Sequence, residues 1–215
     1  MEMSFIAGTG LTNVDLLYQN MPKIPGEGEE VYTDKFSIQL GGGMPATLIN
    51  IGRLGIKTKI ATHLGNDMFS EFAKKQYENN NINILNLYHG SSIPVNITSA
   101  VILKNDRSFI SYGCSENLID EKAKKAFYNM AKGAKICLMQ PDGMIEVYRA
   151  LKDEGTIMVL DMGWDDDLSF KKYKEYFETA DYYTPNRKEA EKLTGCKDPK
   201  SAAQMLKNYF DRAFC

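Results

Sequence analysis

The sequence predicts an α/β protein: a mostly parallel sheet sandwiched by helices, with a small β-rich second sheet projecting from it. Two observations carry this. Short apolar runs of strand length alternate along the chain with segments whose apolar residues recur at helical spacing. Two β-rich pieces, about residues 14–40 and 90–113, interrupt that alternation. They carry Thr, Ser and Tyr in place of unbroken aliphatics, as suits strands that are only half covered.

Taken in order, Ser4–Ala7 reads as a buried strand ending at Gly8. Val31–Leu40 is β-rich and looks like a hairpin arm or edge strand. Gly41-Gly42-Gly43 breaks the chain, Pro45 suits a first helical turn, and the helix that follows closes at Gly55. Lys57–Leu64 is the next strand, and Asn66 or Asp67 caps a helix with Phe69, Phe72, Ala73 and Tyr77 on one face. Ile82–Leu87 is a short strand. Asn96–Leu103 and Arg107–Tyr112, joined by Lys104-Asn105-Asp106, form a hairpin.

From Glu116 the pattern is helical, with Ile119, Ala123, Phe127 and Met130 on one face. Lys135–Met139 and Thr156–Asp161 read as strands, separated by a helix over Met144–Lys152. Phe170–Thr179 is helical, Tyr182–Thr184 a short strand ended by Pro185, Asn186–Leu193 a helix closed by Gly195, and Lys200–Phe210 the last helix.

Composition excludes several function classes. At 215 residues, 43% hydrophobic and 25% charged, the chain is an ordinary globular protein. A net charge of −2 provides no basic field for nucleic acid. Apolar runs stay under about ten residues, too short to span a bilayer, and MEMSFIAGTG is not a signal peptide. Cys114, Cys137, Cys196 and Cys215 form no C-x-x-C pair and read as reduced thiols of a cytoplasmic protein. His63 and His89 are far apart, so a metal site or a Ser–His–Asp triad has little to build on.

In open parallel sheets ligands bind beyond the carboxyl ends of the strands, so the residues after each strand are the candidates. Gly8-Thr9-Gly10 begins a dinucleotide fingerprint, but its third glycine is Asn13 and no helical pattern follows at once. Asp15 reads equally as a turn aspartate or as an acceptor for sugar hydroxyls. Gly41, Gly42 and Gly43 offer bare backbone before a helix start, where a ligand can approach closely. Asp142 is another carboxylate past a strand end, and Asp161 ends the next strand. The run Asp165-Asp166-Asp167 after Trp164 reads as a solvated loop. Asn186 and Glu189 have capping-box spacing, a geometry that could also present them toward a phosphate or Mg²⁺.

Together these pieces resemble the PfkB family of sugar and nucleoside kinases, with its ribokinase-like fold. The segment GGGMPATLINIGRLG (41–55), followed by KTKIATHLGNDMFSEF, looks like the family's N-terminal signature. The segment TPNRKEAEKLTG (184–195) is similar to its Pro-Asn-x-x-Glu-Ala-x-x-Leu-x-Gly stretch. The β-rich pieces stand where the family has its lid. The resemblance implies ATP-dependent transfer of a γ-phosphoryl group, with Mg²⁺, to a hydroxyl of a sugar or nucleoside. By position it implies that Asp15, the glycines 41–43 and Asp142 bind substrate, that Asn186 and Glu189 organise phosphate and Mg²⁺, and that the lid closes over the sugar or pairs two subunits.

Two departures stand out. Where the signature carries an Asn after the diglycine, this chain has Ala46 or, one residue on, Thr47. The family's Gly-Ala-Gly-Asp segment, which supplies the catalytic base and the anion hole, does not occur in these 215 residues. Most of the adenine pocket belongs to the same missing part. The expectation is a single ribokinase-like domain over 1–215, incomplete at its C-terminus, with an open sheet edge prone to association and little or no activity alone. The alternatives are a non-catalytic sugar- or nucleoside-binding relative and, resting on Gly8-Thr9-Gly10, an NAD-dependent oxidoreductase.

Overall fold

The computed structural model describes residues 4–114, 119–163 and 165–210, with the backbone of 212–213. Glu116, Trp164 and Cys215 lie outside the described residues. The chain runs β1 (Phe5–Thr9), β2 (Asn13–Gln19), β3 (Lys35–Gly41), α1 (Gly43–Arg53), β4 (Lys57–Thr62), α2 (Met68–Asn79) and β5 (Ile82–Asn86). It continues through β6 (Asn96–Ile102), β7 (Arg107–Tyr112), α3 (Glu121–Ala131), β8 (Ile136–Met139), α4 (Ile145–Asp153) and β9 (Ile157–Leu160). It ends with α5 (Lys174–Thr179), β10 (Tyr182–Tyr183), α6 (Arg187–Thr194), α7 (Pro199–Leu206) and β11 (Arg212–Ala213).

The main sheet has the order β11-β10-β9-β8-β1-β4-β5. Every pair in it is parallel. Its strands are short and alternate between two cores. Ala7, Cys137 and Met139 face a cluster with Phe127 of α3, Tyr148 and Leu151 of α4 and Phe177 of α5. Ile60 and Leu138 face a second cluster with Leu48 and Ile49 of α1 and Ala73 and Tyr77 of α2. Both faces are therefore covered, as a parallel sheet requires. The two-residue β11 pairs in parallel with β10 at one side of the sheet.

The second sheet has the order β3-β2-β6-β7. β2 pairs antiparallel with β3 but parallel with β6, and β6–β7 is the expected antiparallel hairpin. Directly opposed residues share a face. Asp15 therefore shares one with Gln39, Thr98 and Ser111, while Leu16 shares the other with Ile38, Ser99 and Ile110. The lid is thus polar around Asp15 on one side, with Leu17, Ala100 and Phe109 farther along that face, and mainly apolar on the other.

Four readings need comment. β3 begins at Lys35 rather than Val31, because Thr33 turns back to donate its hydroxyl to the carbonyl of Gln19. The helix expected from Phe170 begins at Lys174. Asp165 accepts from Lys172 Nζ at 2.7 Å and Tyr173 Oη at 2.5 Å, which holds the preceding residues in a turn, so this member of the acidic run is paired rather than merely solvated. After Gly8-Thr9-Gly10 the chain enters strand β2 and not a helix, which removes the helix N-terminus that a dinucleotide fingerprint needs.

A buried hydroxyl chain ties the base of the lid to the main sheet. Tyr77 Oη lies 2.8 Å from Thr12 Oγ1, which lies 2.7 Å from Thr62 Oγ1. Thr62 donates to the carbonyl of Gly10 at 2.8 Å. Tyr77→Phe is expected to lower the unfolding free energy by about 1–2 kcal/mol, read as a lower denaturation midpoint at unchanged slope.

Candidate active site

The strand order reverses between β1 and β8: from β1 the chain goes to β4 and β5 on one side, and β8, β9 and β10 build the other. A crevice opens at the carboxyl ends of strands at such a point. Gly10 follows β1 there. A β-carbon on it would sit 2.9 Å from Met44 Cβ and 3.4 Å from Gln140 Nε2. Its absence lets the first turn of α1 and the residue after β8 close in on the end of β1.

The lid enters from above. A β-carbon on Gly41 would overlap Asp15 Oδ2, so that carboxylate lies directly on bare backbone. The Asn13 side-chain amide donates to Asp15 Oδ1, and Thr98 Oγ1 donates to Asn13 Oδ1 at 3.2 Å. Partial burial raises the Asp15 pKa above the ordinary value, against the pull of the Asn13 amide. Gly42 has φ 89°, and a β-carbon there would meet the Leu11 carbonyl oxygen at 2.9 Å, so this hinge position requires glycine. Gly42 is also the N-cap of α1 and supplies no side-chain bond to its first turn.

Gly43 opens the helix. A β-carbon on it would sit 3.6 Å from Asp161 Oδ2, so the carboxylate after β9 stands at the start of α1. A negative group there is favoured by the helix dipole. Asp161 also reaches the last element of the site. Glu189 is 3% exposed, burial raises its pKa, and the charge of Asp161 adds to that shift. Glu189 and Asn186 form a complete capping box on α6. Asn186 N donates to Glu189 Oε2 at 3.0 Å, Glu189 N donates to Asn186 Oδ1 at 3.1 Å, and the Asn186 amide donates to Glu189 Oε1.

Asp15, the three glycines and the Asn186–Glu189 pair are thus linked, with Asp161 as the connecting group. Sequence reasoning noted Asp161 at a strand end but gave it no role, and it passed over Asn13. Asp161 is a carboxylate at a strand end, a legible signal. Asn13 is fixed by a register with Gly41 and Asn96 that spans distant residues. Thr47 is exposed one helical turn after Gly43, with its hydroxyl on the Gly43 carbonyl at 2.9 Å. Ala46 instead lines a cavity between β3 and α2. Thr47 therefore stands on the Gly43 side of α1.

Asp142 is engaged elsewhere. Its carboxylate accepts from Tyr148 Oη at 2.7 Å and from Met144 N at 3.1 Å, at the start of α4. Both bonds tie Asp142 to α4. Among the described residues no group of three or more His, Cys, Asp or Glu is arranged to hold a metal ion, and no helix is long and apolar enough to cross a membrane. Cys114, Cys137 and Cys196 are free thiols.

A parallel sheet with a crevice at its switch point, a glycine hinge and a two-faced β lid defines a ribokinase-like α/β protein. The chain belongs to the PfkB family of carbohydrate kinases: the profile described as "pfkB family carbohydrate kinase" matches residues 3–212. Among solved structures, the ribokinase of Arabidopsis thaliana in complex with ribose and ATP superposes at a TM-score of 0.75 and 18% identity, over 97% of this chain and 70% of that one. The fructokinase of Xylella fastidiosa superposes at 0.70 and 19% identity, over 98% and 70%. The ribokinase of Giardia lamblia gives 0.74 and 15% identity, over 99% and 68%. No curated protein sequence matches the chain.

The half-buried setting of Asp142 has a measurable consequence. Burial pushes its pKa up to about 7, against the two hydrogen bonds that favour its charge. The folded pKa lies above the unfolded one, so the native state holds the extra proton between about pH 4 and 7. Its contribution to stability declines as pH rises through that window. Asp142→Asn is expected to match wild type near pH 4 and to exceed it in thermal midpoint at pH 8. Equal pH slopes for the two proteins would contradict this.

Proposed function

We propose that the crevice binds a sugar or sugar-like hydroxyl compound and that the family reaction is ATP-dependent phosphorylation of one of its hydroxyls. The observation that carries this reading is the Asp15 carboxylate lying on the bare backbone of Gly41, beside the uncapped start of α1. A carboxylate held by one amide keeps lone pairs for two neighbouring hydroxyls, a pattern suited to a vicinal diol. Thr47 and the backbone at Gly42–Gly43 line the same side. Asn186 and Glu189 are the pair we assign to phosphate and Mg²⁺. Each Glu189 oxygen accepts one bond from Asn186 and keeps a further lone pair, which would hold a hydrated Mg²⁺ through its water ligands and suit an ion that keeps much of its hydration shell. Lid closure would exclude water, which protects ATP from hydrolysis.

The 215 residues contain no Gly-Ala-Gly-Asp segment, and with it go the base and anion hole that the family uses. This favours sugar binding without turnover by this chain alone. It keeps a non-catalytic, sugar- or nucleoside-binding role as the second reading. The Asp15→Ala variant is expected to lose sugar affinity by about tenfold to a hundredfold in calorimetric titrations with pentoses, hexoses and nucleosides. Wild type is expected to show no sugar phosphorylation with MgATP and no affinity for NAD. Turnover by these 215 residues would overturn the binding-only reading, and unchanged affinity in Asp15→Ala would overturn the site.

We also propose that the lid pairs two copies of the chain. Phe36, Ile38, Ile110 and Tyr112 stand on the lid face opposite Asp15, and Ile110 is 75% exposed. A self-complementary apolar face of this kind suits a two-fold dimer. Light scattering is expected to give a dimer for wild type and a monomer for Ile110→Lys.

A further inference from the structure

A cavity of about 470 Å³ lies outside the crevice, between the free edge of the lid and the outer side of α1 and α2. Gln39 and Leu40 of β3 form one wall, Ala46, Asn50 and Arg53 of α1 a second, and Gln76 of α2 a third. β3 is the edge strand of its sheet, so the backbone groups on its outer side have no strand partner. The size is that of a small-molecule site.

The chemistry of the lining is specific. Arg53 Nε donates to Asn80 Oδ1 at 2.9 Å, and its Nη1 points at Asn50 Oδ1 at 3.4 Å. Two amide oxygens thus orient the guanidinium without neutralising it. Among the described residues Arg53 makes no ion pair, whereas Arg149 and Arg187 pair with Glu175 and Glu191. Among the described residues its second terminal nitrogen makes no hydrogen bond and can donate to a ligand. A planar fork of this kind takes phosphate or carboxylate oxygens in preference to a point charge. The other polar walls, Gln39, Asn50 and Gln76, carry amides, which both donate and accept and so suit hydroxyls. Arg53 also sits in the last turn of α1, where a positive charge complements the helix dipole. That role needs only charge, and a lysine would serve it equally.

We propose that this cavity is a second ligand site, for a small polyhydroxylated phosphate ester, with Arg53 on the phosphate and the amides on the hydroxyls. The choice of a phosphate ester rests on the carbohydrate-kinase reading, since a sugar phosphate is that reaction's product. The site itself rests on the cavity and Arg53. Because Gln39 and Leu40 belong to the lid and the other walls to the body, an occupant joins the two, which makes the site suited to feedback on lid movement.

The test titrates the 215-residue chain with inorganic phosphate, ribose 5-phosphate and ribose, followed by amide chemical shifts, in wild type, Arg53→Lys and Asp15→Ala. The expected result is that ribose 5-phosphate shifts residues of β3, α1 and α2 around Arg53, and that phosphate competes with it. Arg53→Lys should weaken this by about tenfold or more at an unchanged thermal midpoint, while Asp15→Ala should leave it intact. Ribose should perturb the Asp15 crevice instead, so failure of that crevice reading is seen separately. Equal affinity in Arg53→Lys, loss of ribose 5-phosphate binding in Asp15→Ala, or no response to ribose 5-phosphate at millimolar concentration would each overturn the proposal.

Discussion

The close approach of the segment Gly41–Gly43 to two carboxylates is the constraint on which the rest of the site depends. Asp15 occupies the space of a Gly41 side chain, and Asp161 stands just beyond that of Gly43. Between them Gly42 takes a positive φ against the Leu11 carbonyl. No residue with a β-carbon fits the first position without moving Asp15, and none fits the second without strain. Three glycines in a row cost conformational entropy on folding. Here they bring the lid strand, the start of α1 and the end of β9 into one small volume.

The sheet makes that convergence possible. Parallel strands end together, and the connections that leave β1 and β8 run to opposite sides of the sheet, which opens a gap between them. The lid is inserted in two connections: β2 and β3 follow β1, and β6 and β7 follow the edge strand β5. Pairing of β2 with β6 joins the two insertions, and the Thr12–Thr62–Tyr77 hydroxyl chain anchors their base. Asp15 thereby belongs to the lid by its strand and to the crevice by its contact with Gly41. Lid position and the geometry of the crevice are therefore coupled through a single residue.

Much of this was legible in the sequence because it is local. The short strands of the main sheet, the β6–β7 hairpin with its Lys104-Asn105-Asp106 turn, and the capping box of α6 depend on neighbours a few residues apart. So did the glycine segment and Asn186 with Glu189. What escaped depends on distant pairing or on a side chain's choice of partner. The parallel match of β2 to β6 brings Asn13 beside Asn96, across more than eighty residues. Asp142 and Asp161 look alike in sequence, each a carboxylate past a strand end. One accepts from Tyr148 and the first turn of α4, and the other faces Gly43. Only the packing of α4 against its strand distinguishes them.

The electrostatics of the crevice then bear on what it can hold. Asp15, Asp161 and Glu189 follow one another across the site, and among the described residues none of them makes an ion pair. Asp15 and Glu189 both have raised pKa values, so the folded chain bears an unfavourable cost for keeping them charged. A cost of this kind persists in structural parts of a protein only when neighbours compensate it. Here the nearby compensation is limited to the Asn13 and Asn186 amides and the start of α1. Hydroxyl donors on Asp15 and a hydrated cation near Asp161 and Glu189 would relieve it further. On the proposed reading, a hydroxylic substrate and a hydrated magnesium ion would both meet the same feature of the crevice, a surplus of acceptors gathered at bare backbone.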